Sequence, residues 1–148
     1  ISAVSGILLG FGVANFAGTL LAGPVLERSL RFALVSMPLL MGALGLGLAT
    51  LQSTPMADSL MVALWGLAFG AVPVAWSTWL TRTVPDQAET AGGLLVAAVQ
   101  LAISIGAAGG GVIFDASGAQ AVFAAASAVL LVAALIILVG VRSRPTPT

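Results

Sequence analysis

The sequence contains no cysteine, histidine or tyrosine, its cationic residues are all arginine, and only 7% of its 148 residues are charged. Without thiols or imidazoles it can form no disulfide, no typical zinc site, and no Cys or His nucleophile. Five cationic and five acidic residues balance, so the chain has no basic patch for a nucleic acid polymer. Its loops hold too few nucleophiles, bases or metal ligands for a catalytic site. The composition therefore predicts a protein that is not an enzyme and has no cofactor.

Apolar residues, by contrast, are abundant and make up 59% of the chain. An ordinary soluble domain is roughly 25% charged, so this chain has too few polar residues to cover a surface in water. The lipid bilayer is therefore its predicted solvent. The chain begins Ile1-Ser-Ala-Val, without an initiator Met or the positive region of a signal peptide. We therefore expect the chain to begin partway through a helix of a longer protein.

The few charges divide the sequence into five uncharged stretches. Each is long enough for the ~20 residues that cross a ~30 Å hydrocarbon core as a helix. Lipid cannot satisfy open backbone groups, and the stretches lack the alternation of barrel strands, so helices are required. The predicted fold is an all-α integral membrane protein with five transmembrane helices. These spans are placed at about 3–22, 32–51, 60–81, 90–112 and 119–140, followed by a tail at 142–148.

The arginines give the predicted orientation. They lie between spans 1 and 2, between spans 3 and 4, and after span 5: Arg28, Arg31, Arg82, Arg142 and Arg144. Strict alternation of the spans puts all of them on one side, and the opposite side carries only Asp58 and Asp115. By the positive-inside rule the arginine side is cytoplasmic. The sequence thus predicts a multi-pass protein of the cell (inner) membrane with a cytoplasmic C-terminus and its first residue outside.

Polar residues are concentrated in spans 1, 3 and 4. Because an uncompensated amide is costly in hydrocarbon, these spans are expected to be central and to face protein or a wet cavity, with spans 2 and 5 facing lipid. The candidate cavity residues are Asn15, Thr19, Trp76, Ser77, Gln100 and Ser104. The candidate helix-packing residues are Gly66, Gly70, Gly93, Gly109 and Gly110. Two alternatives stay open: Asn15 and Gln100 could bond another helix, and Trp76 could anchor the chain at the membrane interface.

The segment after span 1 resembles a cytoplasmic loop signature of the major facilitator superfamily, G-x-x-x-D-R-x-G-R. Gly23, Glu27, Arg28 and Arg31 match in position; Glu replaces the usual Asp, and Leu30 replaces the second Gly. These departures suit the weaker second copy of the signature, between helices 8 and 9. The resemblance implies that the five spans are helices 8–12 of a twelve-helix transporter, most of its C-terminal six-helix bundle. It also implies that the signature residues act at a cytoplasmic gate.

Residues 64–82, 86–93, 99–101 and 106–115 are similar to purine ribonucleoside efflux pumps of the drug:proton antiporter-1 group. This resemblance implies export of a small solute by proton antiport and alternating access, with purine ribonucleosides the favoured substrate. The implied partners are the bilayer, the missing N-terminal half of the same chain, the solute and protons. A sugar or drug efflux pump is the alternative within the superfamily. A non-transport membrane scaffold, held by glycine-rich helix faces, is the alternative from another class.

Overall fold

The computed structural model describes residues 2–51 and 54–141, and all regular structure in these ranges is helical. The elements are α1 (Ala3–Arg28), α2 (Leu30–Thr50), α3 (Pro55–Thr83), a short 3₁₀ turn (Pro85–Gln87) and α4 (Ala88–Gly140). All four α-helices are long and apolar enough to cross a membrane. The prediction of an all-α membrane fold is confirmed at this level. Arg142 and Arg144, with the rest of the predicted tail, lie outside the described residues.

The first connection is shorter than the sequence predicts. A loop was expected around Gly23 and Pro24, but α1 continues through both to Arg28. The expected loop is therefore wrong, because burial of Ala22 and Leu26 in the core outweighs the helix-breaking tendency of a Gly-Pro pair. Ser29 alone separates the two helices: its backbone N–H bonds the end of α1, and its hydroxyl accepts from Phe32 N at 3.2 Å to cap α2.

Helix α4 turns back on itself at Gly118. Its 53 residues would extend about 80 Å as a straight helix. Gly118, however, has φ 79° and ψ −177°, a conformation that is open to glycine and strained for other residues. A Cβ placed on Gly110 would lie 3.9 Å from Val122 Cγ1, although a straight helix would separate these residues by about 18 Å. The chain therefore reverses at Gly118, and the start of the second arm (119–140) lies beside the end of the first arm (88–117).

Helices α1 and α3 form the first tight pair. Backbones approach so closely at Gly18 and Gly70 that an added Cβ would overlap the carbonyl oxygens of Leu67 and Asn15, respectively. At Gly66 the added Cβ would lie 2.7 Å from Phe11 O. Small residues allow such close contact between membrane helices, where packing and interhelical hydrogen bonds drive association.

Helix α2 and the second arm of α4 form the other pair. An added Cβ at Gly42 would lie 3.1 Å from Leu131, and one at Gly45 would overlap the Ser127 hydroxyl. Ser127 is fully buried there and donates to Phe123 O at 2.7 Å. The two pairs meet in one apolar core, which lies nearer the arginine-bearing helix ends. Its buried members are Ala22, Leu26, Ala33, Leu34, Met37, Ala71, Ala75 and Ile137.

Candidate functional site

The predicted cavity residues of α1 lie at its contact with α3. Thr19 donates its hydroxyl to Gly70 O across the interface at 2.9 Å and to Asn15 O within α1 at 3.1 Å. Asn15 is half-buried beside this contact, and its side chain forms no hydrogen bond within the described residues. The Thr19 hydroxyl thus joins α1 and α3.

The two candidates on α3 point to different surroundings. Trp76 is half-buried in the core, with its ring edge-on to Trp79 at a centroid distance of 5.6 Å. It lines a cavity together with residues of α2, α3 and the second arm of α4. Ser77, the next residue along the helix, is exposed. The structure therefore does not bring Trp76 into a shared pocket with the amides of Asn15 and Gln100, which a joint stacking and hydrogen-bonding site would require.

The first arm of α4 is almost wholly exposed. Gln100 and Ser104 both lie on its surface, where the Ser104 hydroxyl bonds Gln100 O at 2.9 Å. An added Cβ at Gly93 or Gly109 would meet no atom within 4 Å. These glycines differ in this respect from Gly66 and Gly70. Of the predicted packing glycines of this arm, only Gly110 has such a neighbour in the part of the chain that the structure describes, namely Val122 just beyond the turn.

An open cavity of about 700 Å³ lies between α1, α2, α3 and both arms of α4. Aromatic residues and glycines form much of its wall, and Trp65 contacts Phe123 beside it at a centroid distance of 5.7 Å. The wall includes Phe11, Met41, Trp65, Phe69, Gly106, Gly109, Gly110 and Ile113. None of the predicted cavity residues lines it. An aromatic stripe containing Trp65 and Phe69 is visible in the sequence, but Phe11 carries no signal that distinguishes it from a lipid-facing residue.

The gate-signature residues lie at one end of the bundle. Gly23, Glu27 and Arg28 are exposed in the last two turns of α1. Arg31 is placed differently, because its Nη2 donates to Leu138 O at 2.9 Å. Leu138 is in the last turn of α4, where carbonyls lack helical donors and a cation also complements the helix dipole. Arg31 thus ties the start of α2 to the end of α4.

Other charges also complement the helix dipoles. Arg28 and Arg82 lie in the last turns of α1 and α3, while Asp58 and Glu89 lie in the first turns of α3 and α4. Each position places a charge beside helix-end groups of opposite partial charge. All of the acidic residues lie within a few residues of a helix end or of the turn at Gly118. The described residues accordingly place no carboxylate in the middle of a helix arm.

Comparison with known proteins gives a family and a set of relatives. The model of the major facilitator superfamily matches residues 1–148. The transcription regulatory protein OpdE of Pseudomonas aeruginosa is 44% identical over 141 residues, covering 95% of this chain and 35% of OpdE. The purine ribonucleoside efflux pump NepI of Salmonella paratyphi B is 42% identical over 139 residues, covering 94% of this chain and 35% of the pump. The same pump of Salmonella typhimurium gives the same identity and coverage.

The chain thus spans about a third of the length of these relatives. No solved structure matches it significantly. The family match extends over the whole chain, and it agrees with the apolar helices and the signature around Arg28. This multi-pass chain belongs to the major facilitator superfamily, a family of membrane transporters rather than enzymes.

Proposed function

We propose that the chain is part of a secondary active transporter that exports purine ribonucleosides in exchange for protons. The observation that carries this proposal is the 42% identity to a purine ribonucleoside efflux pump over 94% of the chain. The exposed amide of Gln100 supports it, because a polar side chain in mid-span needs a protein or aqueous neighbour. Asn15 and Gln100 are suited to bind the nucleobase or ribose, while a sugar or drug remains the alternative cargo.

In this proposal the chain forms helices 8–12 of twelve and crosses the membrane five times. Helix α3 ends and α4 begins at the same level, separated by a single 3₁₀ turn. Leu138, near the end of α4, lies beside Arg31 at the start of α2. The start of α2 directly follows the end of α1, so these three helix ends lie together. If the arginine ends share one side, α4 must leave that side and return, so Gly118 divides it into two crossings. The bundle rocks against the rest of the protein around a midplane site.

The gate residues have two roles in this proposal. Arg31 is bonded within the bundle, which leaves Glu27 and Arg28 exposed to contact the rest of the protein at the cytoplasmic gate. Because no acidic residue here lies in mid-arm, the group that carries the proton is assigned to the remaining two-thirds of the protein. The inner membrane is the site of action, with the arginine ends cytoplasmic.

A second candidate is a role in transcription regulation, since the relative named for that role is 44% identical. Identities of 44% and 42% do not separate the two functions. Transport predicts that nucleosides leave cells that express the full-length protein. Regulation without transport predicts altered transcript levels with no change in nucleoside export.

The test is export of labelled inosine from cells that express the full-length protein, with guanosine tolerance as a second readout. Gln100→Ala should lower the export rate roughly tenfold, the effect of one lost hydrogen bond to cargo. Gln120→Ala is the matched control, because this exposed amide lies beside the turn at Gly118. If cells with normally inserted wild-type protein export no nucleoside, purine ribonucleosides are not the substrate. Equal export by both variants would remove Gln100 from the site.

A further inference from the structure

Two proline-interrupted helices border a single apolar cavity. Pro38 lies in the middle of α2 and Pro73 in the middle of α3. Proline has no N–H, so the carbonyls four residues earlier, on Leu34 and Phe69, lack their usual helical donor. Both of these residues line the same cavity of about 210 Å³, which we name the proline cavity.

The lining of the proline cavity is apolar apart from one group. It consists of Leu34, Met37, Pro38, Met41, Phe69, Val72, Ala75, Trp76, Leu130, Ala133 and Ile137. Trp76 supplies the only polar side-chain atom, an indole N–H that forms no hydrogen bond within the described residues. The two methionines are flexible and polarizable, so they adapt to an aromatic ring. No lining residue belongs to α1 or to the first arm of α4, which carry Asn15 and Gln100.

These features select a ligand class. An apolar cavity of about 150 Å³ can hold benzene, so this one has room for a substituted benzene ring. An acyl chain would fill the volume but would offer no acceptor to the indole N–H, which is unfavourable in hydrocarbon. A hydroxyl on the ring can accept from the Trp76 indole. The ring itself can pack against the methionines and Trp76.

We propose that the proline cavity binds a lipid-soluble phenol. This site is separate from the proposed nucleoside site, and its occupancy does not depend on which solute the protein transports. A bound phenol would lie between α2, α3 and the second arm of α4, at the level where both prolines weaken the helices.

The experiment uses the full-length protein in detergent micelles, with 4-bromophenol as the ligand. Its bromine is a heavy atom that quenches tryptophan fluorescence. We expect saturable quenching that is weaker in Trp76→Phe, where Trp79, whose ring lies 5.6 Å from that of Trp76, still reports the ligand. Ala133→Phe fills the cavity and should weaken apparent binding at least tenfold. Ala128→Phe adds the same ring to an exposed position of the same arm and should change it less than twofold. Ala133→Leu, a smaller filling, should lie between these values and serves if the phenylalanine variant is not monodisperse.

Bromobenzene tests the role of the hydroxyl, because it has the ring and the heavy atom but neither donor nor acceptor. We expect at least fivefold weaker binding than for 4-bromophenol. Quenching that rises linearly without saturation would mean partition into the micelle and would overturn the site. Equal effects of Ala133→Phe and Ala128→Phe would do the same. Equal affinity for bromobenzene would overturn the assignment to phenols.

Discussion

Replacement of Gly70 by alanine should destabilise the protein by roughly 1–5 kcal/mol. The new methyl group would overlap the Asn15 carbonyl oxygen and lie 2.9 Å from its carbon and 3.1 Å from Thr19 N. All three are backbone atoms that cannot rotate away, so α1 and α3 must separate. Overpacking of this kind costs about 1–3 kcal/mol. Loss of the bond from Thr19 to Gly70 O adds about 0.6–1.7 kcal/mol, while alanine returns up to about 1 kcal/mol of helix propensity.

The assay measures thermal unfolding of the full-length protein in detergent. The readout is the fraction of protein that stays monodisperse at each temperature. Gly12→Ala is the matched control, because a methyl group there meets no atom within 4 Å and alanine favours the helix. Thr19→Val removes the hydrogen bond without adding a clash, so it should lower stability less than Gly70→Ala. If Gly70→Ala unfolds at the same temperature as Gly12→Ala, the close α1–α3 contact is not present in the protein.

Three further substitutions test other contacts. Arg31→Gln should lower stability by about 1–2 kcal/mol through loss of the charged bond to Leu138 O, and should increase proteolysis near the end of α4. Arg82→Gln should have a smaller effect, because the Arg82 side chain forms no such bond within the described residues. Gly118→Ala should cost about 1–3 kcal/mol because alanine disfavours φ 79°, while Gly140→Ala should be neutral when both are compared by thermal unfolding. Gly45→Ala should lower thermal stability by about 1–3 kcal/mol by overlapping the buried Ser127 hydroxyl, and its double substitution with Ser127→Ala should recover part of that loss; no recovery would contradict the contact.

Helical membrane character follows from the sequence because it depends on composition and on the length of uncharged stretches. The turn between 112 and 119 is also foreseeable, since Asp115 and Gly118 interrupt an apolar run. The extent of α1 is not, because Gly23-Pro24 has the local signals of a loop. Its helical state depends on burial of Leu26 against other helices, a tertiary effect that outweighs local propensity.

The candidate site shows the same limit more clearly. Gly70 and Gly109 both belong to glycine-rich helix faces, yet a Cβ added at Gly70 would overlap the backbone of α1, whereas one added at Gly109 would meet no atom within 4 Å. Periodicity identifies a small face but not the helix that covers it. The bond from Arg31 to Leu138 O joins positions 107 residues apart, and one partner is a backbone carbonyl that any residue could supply. No pattern of residue types could predict it.

The distribution of burial suggests how the described helices meet the rest of the protein. Helix α2, expected on the lipid side, has the largest buried share of the four, whereas α1 and the first arm of α4 are exposed. Lipid can cover an exposed leucine, but it cannot satisfy the amide of Gln100 or the unbonded amide of Asn15. Because the relatives are about three times as long, we expect protein or a wet cavity to cover these two faces. The polar faces that the sequence marks as functional are thus the ones that this part of the chain leaves open.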